Sequence, residues 1–475
     1  MPIVSKETSR KIKSNFTMKG SIKDVIENDY CIGCGICAFH NKNAFSVQLD
    51  KYGMLKANMS ENEISDEKLT EASELCPFSD YIQNEDSISE KIFKNVENKD
   101  PYLGKYIQNY VGYVKEGDYR KKGSSGGMGK WLLNQLLIND EIDYAIQVVN
   151  EKVKGKLYTY QVFTKNDDML KGAKSAYYPI SLEDTLNFII NNEGRYAVTT
   201  VPCFSKALRN FAEKNSILKE RVKFTIGIIC GHLKSTGYAE SFAWQLGVEP
   251  QNLQGIEFRD KIPGKKANEK GVFAVDVHNK KTEVVSSKAL VGGNWGHNMF
   301  KYKACDYCDD IVGETTDVSI GDAWLKEMMD DDQGNNVVVV RNSLIEKIIA
   351  KGISEGKLHL ETVSPDVINM SQAGGIRHRR EGLAYRLKQK SKKGLWAPEK
   401  RVDMNLKIPK SREKIYKVRE EVRDASHEIF LEAKRKNDLN YFKENILKET
   451  KKFHPSSMSA KILQKIKVKI VKLIK

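Results

Sequence analysis

Tyr196-Ala197-Val198-Thr199-Thr200-Val201-Pro202-Cys203 is the stretch from which the fold is read. Six β-branched, aromatic and small residues stop at a proline, and residues 204–213 then repeat apolar side chains at helical spacing. A short buried strand that gives way to a helix is the repeating unit of an α/β fold. The same text recurs elsewhere. Tyr144-Ala145-Ile146-Gln147-Val148-Val149, Phe224-Thr225-Ile226-Gly227-Ile228-Ile229 and Val337-Val338-Val339-Val340 read as further strands. Residues 129–138, 182–191 and 238–246 read as helices. Strands alternating with helices predict an α/β domain with a largely parallel or mixed sheet.

Working outward, the 475 residues allow two to four domains at roughly 100–200 residues each. With 40% hydrophobic and 30% charged residues, the chain reads as globular rather than fibrous or wholly disordered. No apolar run approaches the ~20 residues of a membrane-spanning helix. Residues 1–19 are polar and basic with no apolar segment, so no secretory signal is expected and the cytoplasm is the expected compartment. Eight cysteines in that compartment argue for metal binding or redox chemistry rather than disulfides.

The net charge of +15 is not spread evenly. Residues 377–475 hold 30 Lys/Arg against 12 Asp/Glu, or +18, while residues 1–376 hold 48 against 51, or −3. The predicted organisation follows: a polar arm (1–27), a small cysteine-bearing domain with an acidic linker near its end (28–98, linker about 84–99), an α/β domain (99–375) and a basic helical tail (376–475). Nucleic-acid binding would have to rest on the tail alone. The tail carries no recognition motif, and nucleic acid is disfavoured as a partner.

Cys31-Ile32-Gly33-Cys34-Gly35-Ile36-Cys37 places three thiols at two-residue spacings. That spacing lets three sulfurs converge on one face of a cubane, with backbone N–H groups near Gly33 and Gly35 freed for its sulfides. A bacterial ferredoxin run puts its fourth Cys three residues on, where this chain has Asn41. In two-cluster ferredoxins a Cys-Pro ligates the other cluster, and Cys76-Pro77 supplies one here. Cys31, Cys34, Cys37 and Cys76 are therefore read as the ligands of a 4Fe–4S cluster in a ferredoxin-like domain. Structural zinc takes its ligands in two separated pairs and is the poorer fit.

Cys203, Cys230, Cys305 and Cys308 remain. Cys203 and Cys230 follow the C-terminal ends of two predicted strands, the edge where open α/β sheets put their sites. A second cluster, a zinc ion and buried structural thiols are the readings open to this set.

At this point the chain resembles the coenzyme F420 hydrogenase/dehydrogenase family of beta subunits over about residues 29–375. The likeness rests on the cysteine run, on Ser124-Ser125-Gly126-Gly127-Met128-Gly129, and on Pro202-Cys203 followed by Ala207-Leu208-Arg209. It rests also on Phe258-Arg259-Asp260-Lys261 and on Cys305 to Cys308 with Asp317-Val318-Ser319-Ile320-Gly321-Asp322-Ala323-Trp324. The resemblance implies FAD, iron–sulfur clusters, and electron transfer between a flavin and a small redox partner or ferredoxin-type protein. It makes Cys203, Cys230, Cys305 and Cys308 the ligands of a second 4Fe–4S cluster. Gly334-Asn335-Asn336-Val337 and Ser371-Gln372 look like the branch found near polysaccharide pyruvyl transferases, which suggests a redox step in surface-polysaccharide synthesis. The rivals are coenzyme F420 oxidation coupled to ferredoxin reduction and a non-enzymatic iron–sulfur protein that binds nucleic acid through its tail.

Residues 124–129 stand just before a helix, where backbone N–H groups and the helix dipole attract a phosphate or a flavin. Ser125, Gly126, Gly127, Met128, Thr199, Thr200, Pro202 and Asp322 are the candidate flavin-binding residues. No G-x-G-x-x-G follows the first strand, so a nicotinamide site has no support. Lys261 is a candidate to face an anionic substrate or the flavin, with a solvated lysine as the plain alternative. His232 is a candidate proton donor or a hydrogen-bonded structural histidine. Residues 459–475 form an amphipathic basic pattern that suits an anionic membrane surface or a helix packed on the domain.

Overall fold

A computed structural model describes residues 19–61, 63–153 and 156–453. Its centre is an eight-stranded mixed sheet. In chain order we label its strands β1 (Gln108–Val114), β2 (Tyr144–Val153), β3 (Lys156–Phe163), β4 (Tyr196–Thr200), β5 (Val222–Ile228), β6 (Val318–Asp322), β7 (Asn336–Val340) and β8 (Leu358–Thr362). Their spatial order is β8-β1-β7-β6-β5-β4-β2-β3. The four central strands β2, β4, β5 and β6 run parallel, with Ala145 beside Ala197, Thr199 beside Ile226 and Ile320 beside Ile228. The strands flanking them pair antiparallel.

Helices cover both faces, which is why β7 reads as an unbroken apolar run and is buried along its whole length. On one face Met128, Trp131, Leu132 and Leu136 of the helix Met128–Ile138 pack with Ile345 and Ile349. On the other, Leu186 and Ile189 pack with Phe204, Leu208 and Phe211 of the helix Pro202–Lys214. Each such side chain contributes about 1.5–3 kcal/mol on burial.

The N-terminal cysteine unit comprises the helices Ile22–Glu27, Ile36–His40 and Asp66–Leu75 and the hairpin Phe45–Leu49/Leu55–Met59. It is seated on the sheet domain: the Leu182 amide donates to the Cys34 carbonyl at 2.9 Å.

Several elements differ from the sequence reading. Residues 22–27, read as part of a polar arm, form a helix whose Ser21 and Asp24 make a capping box. The stretch near 84–99, read as a linker, contains the helix Glu85–Ile92, capped by the Asn84 side chain and anchored by a buried Glu85–Lys206 ion pair at 3.3 Å. Its acids occupy the first turn, where they favour a helix start. A three-stranded sheet of Leu253–Lys261, Lys270–Asp276 and Val285–Ser286 is an addition the sequence did not signal.

The C-terminal region is helical, as expected: Ala373–Arg379, Glu381–Lys392, Lys410–Lys436 and Leu439–Thr450. It is not a solvated appendage. Tyr416, Val422, Phe430, Phe442 and Ile446 are buried, and several of its arginines reach acids of the sheet domain. The amphipathic segment 459–475 lies outside the described residues. Among those described, no helix is long and apolar enough to cross a membrane.

Candidate functional site

In the first cysteine set, Gly33 and Gly35 take positive φ angles of 67° and 85°. A Cβ on Gly33 would stand 2.4 Å from Leu55 Cβ, and one on Gly35 would stand 2.2 Å from Ser181 Oγ. Both positions therefore require glycine, for backbone shape and for space. The resulting loop turns the thiols of Cys31, Cys34 and Cys37 inward, and Cys76 arrives from the C-terminal end of the helix Asp66–Leu75. All four line one apolar cavity with Ile22, Val25 and Phe78. The Gly33 and Ala57 amides donate to Cys31 Sγ at 3.4 and 3.2 Å, so backbone N–H groups do point at sulfur here. Burial, reinforced by the neighbouring thiols, pushes Cys34 and Cys37 well above the usual thiol range and Cys76 up to about 12. Four crowded thiols in an apolar cavity suit thiolate chemistry only when cations sit among them, as iron would.

The second set is assembled from three regions of the chain. Cys203 stands in the first turn of the helix after β4, Cys230 lies two residues beyond β5, and Cys305 and Cys308 come from a 3-10 turn and its end. Every pair among the four is close enough to disfavour ionisation of its partner. Burial is again the main cause, and Cys34 of the first set also acts on Cys203. The Leu233 amide donates to Cys305 Sγ at 3.3 Å. Among the described residues no group of three or more His, Cys, Asp or Glu side chains is placed to hold a single metal ion. A cubane spreads its thiolates around a larger body than one ion does.

Under the Cys305–Cys308 turn lies a buried ionic knot. Asp306 faces Lys301 at 2.5 Å, His378 at 3.2 Å, Arg386 at 3.6 Å and Arg423. The charges of Lys301, Arg386 and Arg423, with a hydrogen bond from His378, hold its carboxyl well below the usual range despite burial. Three of the five residues belong to the C-terminal helices. A second clamp joins Arg401 to Glu314 at 2.8 Å and to Asp309 at 3.2 Å. The sequence signalled neither, because the partners are separated by up to 117 residues.

The glycine loop stands at the same sheet edge, following β1 and opening the helix Met128–Ile138. Gly127 caps that helix at φ 90°, and a Cβ there would meet the backbone of Tyr119 and Arg120 at 2.7 Å. The space beside Gly126 is filled by Gly112 and Asn336. The Met128 amide donates to Asn336 Oδ1 at 3.1 Å, and the Ser125 hydroxyl donates to the Asn335 carbonyl at 2.7 Å. These groups are thus committed inside the protein. Lys261 likewise donates to the carbonyls of Ser125 and Arg120, and burial with Lys270, Arg120 and Lys174 nearby pushes it down to about 7. Asp322 is held by Arg259 through two bonds of 2.6 and 2.9 Å. Thr199 donates to the Ile146 carbonyl, and Pro202 is the first residue of its helix.

Other groups at this edge are left over. Thr200 Oγ1, His232 Nε2, Arg259 Nε and Lys270 Nζ are buried without a hydrogen-bond partner among the described residues. His232 stacks on Trp295 with ring centres 4.1 Å apart, and the Tyr177 ring is tilted against Trp295 at 4.8 Å. Burial holds His232 well below the ordinary histidine range, so its ring is neutral. Burial also pushes Lys270 down to about 8. Orphaned buried donors beside aromatic rings match a planar, hydrogen-bonding, anionic cofactor in chemistry. Arg259, Lys270, Asn336 and Tyr177 were not singled out as site residues from the sequence. Arg259 and Asn336 lay within quoted motifs, whereas nothing local marked the other two.

Comparison with known proteins covers most of this region. Residues 109–187 match the family model for the N-terminal part of the coenzyme F420 hydrogenase/dehydrogenase beta subunit, and residues 193–366 match the model for its C terminus. The chain is 22% identical over 381 residues to one of the subunits of the F(420)H(2) dehydrogenase of Methanosarcina mazei, covering 77% of this chain and 95% of that protein. It is 25% identical over 281 residues to the coenzyme F420 hydrogenase beta subunit, that of Methanosarcina barkeri, covering 56% and 87%. A chain of the F420-reducing [NiFe] hydrogenase complex from Methanosarcina barkeri overlays with a TM-score of 0.46 at 20% identity, covering 62% of this chain and 96% of that one.

Proposed function

The chain belongs to the coenzyme F420 hydrogenase/dehydrogenase family of beta subunits, and from that premise we propose that it is an iron–sulfur flavoprotein oxidoreductase with two 4Fe–4S sites and one FAD site. The observation that carries the reading is the sorting of all eight cysteines into two convergent sets with none left over. Such groups, when bound, supply two-electron and one-electron carriers side by side.

In this reading Cys31, Cys34, Cys37 and Cys76 hold the first centre, and residues 28–98 are its domain. Cys203, Cys230, Cys305 and Cys308 hold the second at the edge of the sheet domain, 99–375. The shared core around Tyr30, Cys34, Phe78, Phe204 and Tyr307 excludes water between them. Thr200, Arg259 and Lys270 offer hydrogen bonds to the flavin, with Ser125, Gly126, Gly127, Met128, Thr199, Pro202 and Asp322 shaping its surroundings. Lys261 fixes the glycine loop through two carbonyls. His232 presents a neutral ring to the aromatic wall.

A second reading, oxidation of coenzyme F420 with reduction of a ferredoxin-type partner, is favoured by the names of the two Methanosarcina relatives. Lys130, Lys174, Lys261 and Lys270 gather near the glycine loop, and Lys270, whose Nζ has no hydrogen-bond partner among the described residues, suits an anionic substrate. The comparisons do not support the polysaccharide role suggested by residues 334–337 and 371–372, and the substrate is proposed at its redox class only.

Anaerobic purification with iron and flavin assays tests the reading. About eight irons and one FAD per chain are expected for two four-iron sites. A colourless chain containing zinc would overturn it. Reduction of the loaded protein by reduced coenzyme F420 would select the second reading.

A further inference from the structure

Arg379 ends the helix Ala373–Arg379, beyond the stretch matched by either family model. It is only 3% exposed. The other arginines packed into the C-terminal region face carboxylates: the buried Arg386 and Arg423 face Asp306, and the half-buried Arg401 faces Glu314 and Asp309. The groups whose charge acts most on Arg379 are instead Cys308, Cys230 and Cys305.

The guanidinium also ties the backbone that carries these thiols. Its Nη2 donates to the carbonyls of Cys230 at 2.6 Å and Gly231 at 2.8 Å, and its Nε donates to the carbonyl of Asp310 at 3.3 Å. One side chain therefore bridges the segment after β5 and the segment after Cys308. A buried cation needs a counter-charge. Four thiols supply one only as thiolates, and a thiolate-ligated iron–sulfur centre carries net negative charge that grows by one on reduction.

We propose that Arg379 is a positioning residue for the second cysteine set, holding the Cys230 and Cys308 segments together and raising the reduction potential of the centre they bind. The inference rests on the reading of that set as an iron–sulfur site. A fixed positive charge beside the centre favours the reduced, more negative state. The planar fork, with its several donors, fixes geometry in a way an ammonium cannot.

The test uses the anaerobically purified full-length protein, with total iron and an EPR-monitored potentiometric titration of both centres. Arg379→Gln is expected to weaken reduction of one centre at least tenfold, about 59 mV for one electron, and to leave the other unmoved. Arg379→Lys keeps the charge without the fork and is expected to give a smaller shift with an altered EPR signal. Arg377→Gln, at an exposed position on the same helix, is expected to change neither. Two centres that titrate in Arg379→Gln as in the parent overturn the proposal. If Arg379→Gln does not fold, Arg379→Lys decides: parental potentials and spectrum overturn it, and a change in one centre upholds it. A parent chain that holds no iron defeats the functional reading instead, and so is distinguishable from an iron-loaded chain whose potentials do not move.

Discussion

The two cysteine sets each bring four thiols together, by opposite constructions. Three of the four thiols in the first lie within seven residues, on a loop shaped by two glycines at positive φ and closed by apolar packing. The second gathers thiols from Cys203 to Cys308 and is buttressed by ion pairs that reach residue 423. A local loop is specified by backbone conformation, and a long-range assembly by what locks its segments together. Each region should therefore fail through a different kind of change.

Asp306→Asn should have the largest effect. It leaves Lys301, Arg386 and Arg423 in a dry interior with their shared counter-charge removed. A loss of roughly 3–5 kcal/mol in denaturant unfolding is expected, with any surviving protein depleted in the second centre. An unchanged unfolding midpoint would show that the ionic knot is not what distinguishes the second region.

Gly33→Ala comes next and should act on the first set alone. The left-handed backbone and the overlap with Leu55 together cost about 2–3 kcal/mol. Iron analysis should fall by half while the second centre keeps its EPR signal. Loss of both signals would break the claimed independence.

A pH dependence should follow from the second region. Burial, with Arg423 nearby, pushes His427 down to about 4, below the ordinary histidine value of about 6.5. Between those values the unfolded chain binds a proton that the folded chain refuses, so stability falls as the pH falls through that window. About 1.5 kcal/mol should be lost from this group between pH ~6.5 and ~5. His427→Gln should flatten that slope in unfolding measured across pH, and an equal slope in both proteins would remove the histidine from the account.

The smallest effect is expected at Ser65→Ala. Ser65 caps the helix Asp66–Leu75 that delivers Cys76, accepting from the Lys68 amide at 3.4 Å. Loss of an N-cap costs about 1 kcal/mol, read as a modest fall in the thermal midpoint with iron content retained. Iron loss from so small a change would mean that the first set depends on its helix far more than on its loop.

Much of this contrast was legible in the chain. The Cys31–Cys37 run announced its site because its partners are neighbours, and the alternation of apolar strands and helices announced the sheet. The helix Glu85–Ile92 was hidden by its acidic surface, although Asn84 and the first-turn acids are a helix start. Asp322 was expected at the flavin, and what the sequence did not signal is that its carboxylate takes two bonds from Arg259, which arrives on a strand more than sixty residues earlier. Lys261 was expected at an anion and is found holding carbonyls of the glycine loop.

The basic C-terminal stretch shows where sequence stops. Its charge surplus is a count and survives folding. Whether those charges meet water, phosphate or buried acids depends on distance in space, which one dimension does not encode. Sequence by itself determined the cysteine inventory, the strand–helix alternation and the family, since these rest on residue types at fixed separations. Only the tertiary structure decided that Arg386, Arg401 and Arg423 face acids of the sheet domain, and that Arg379 faces three cysteines. Packing brings those groups into a low-dielectric interior, where a charge must find a partner.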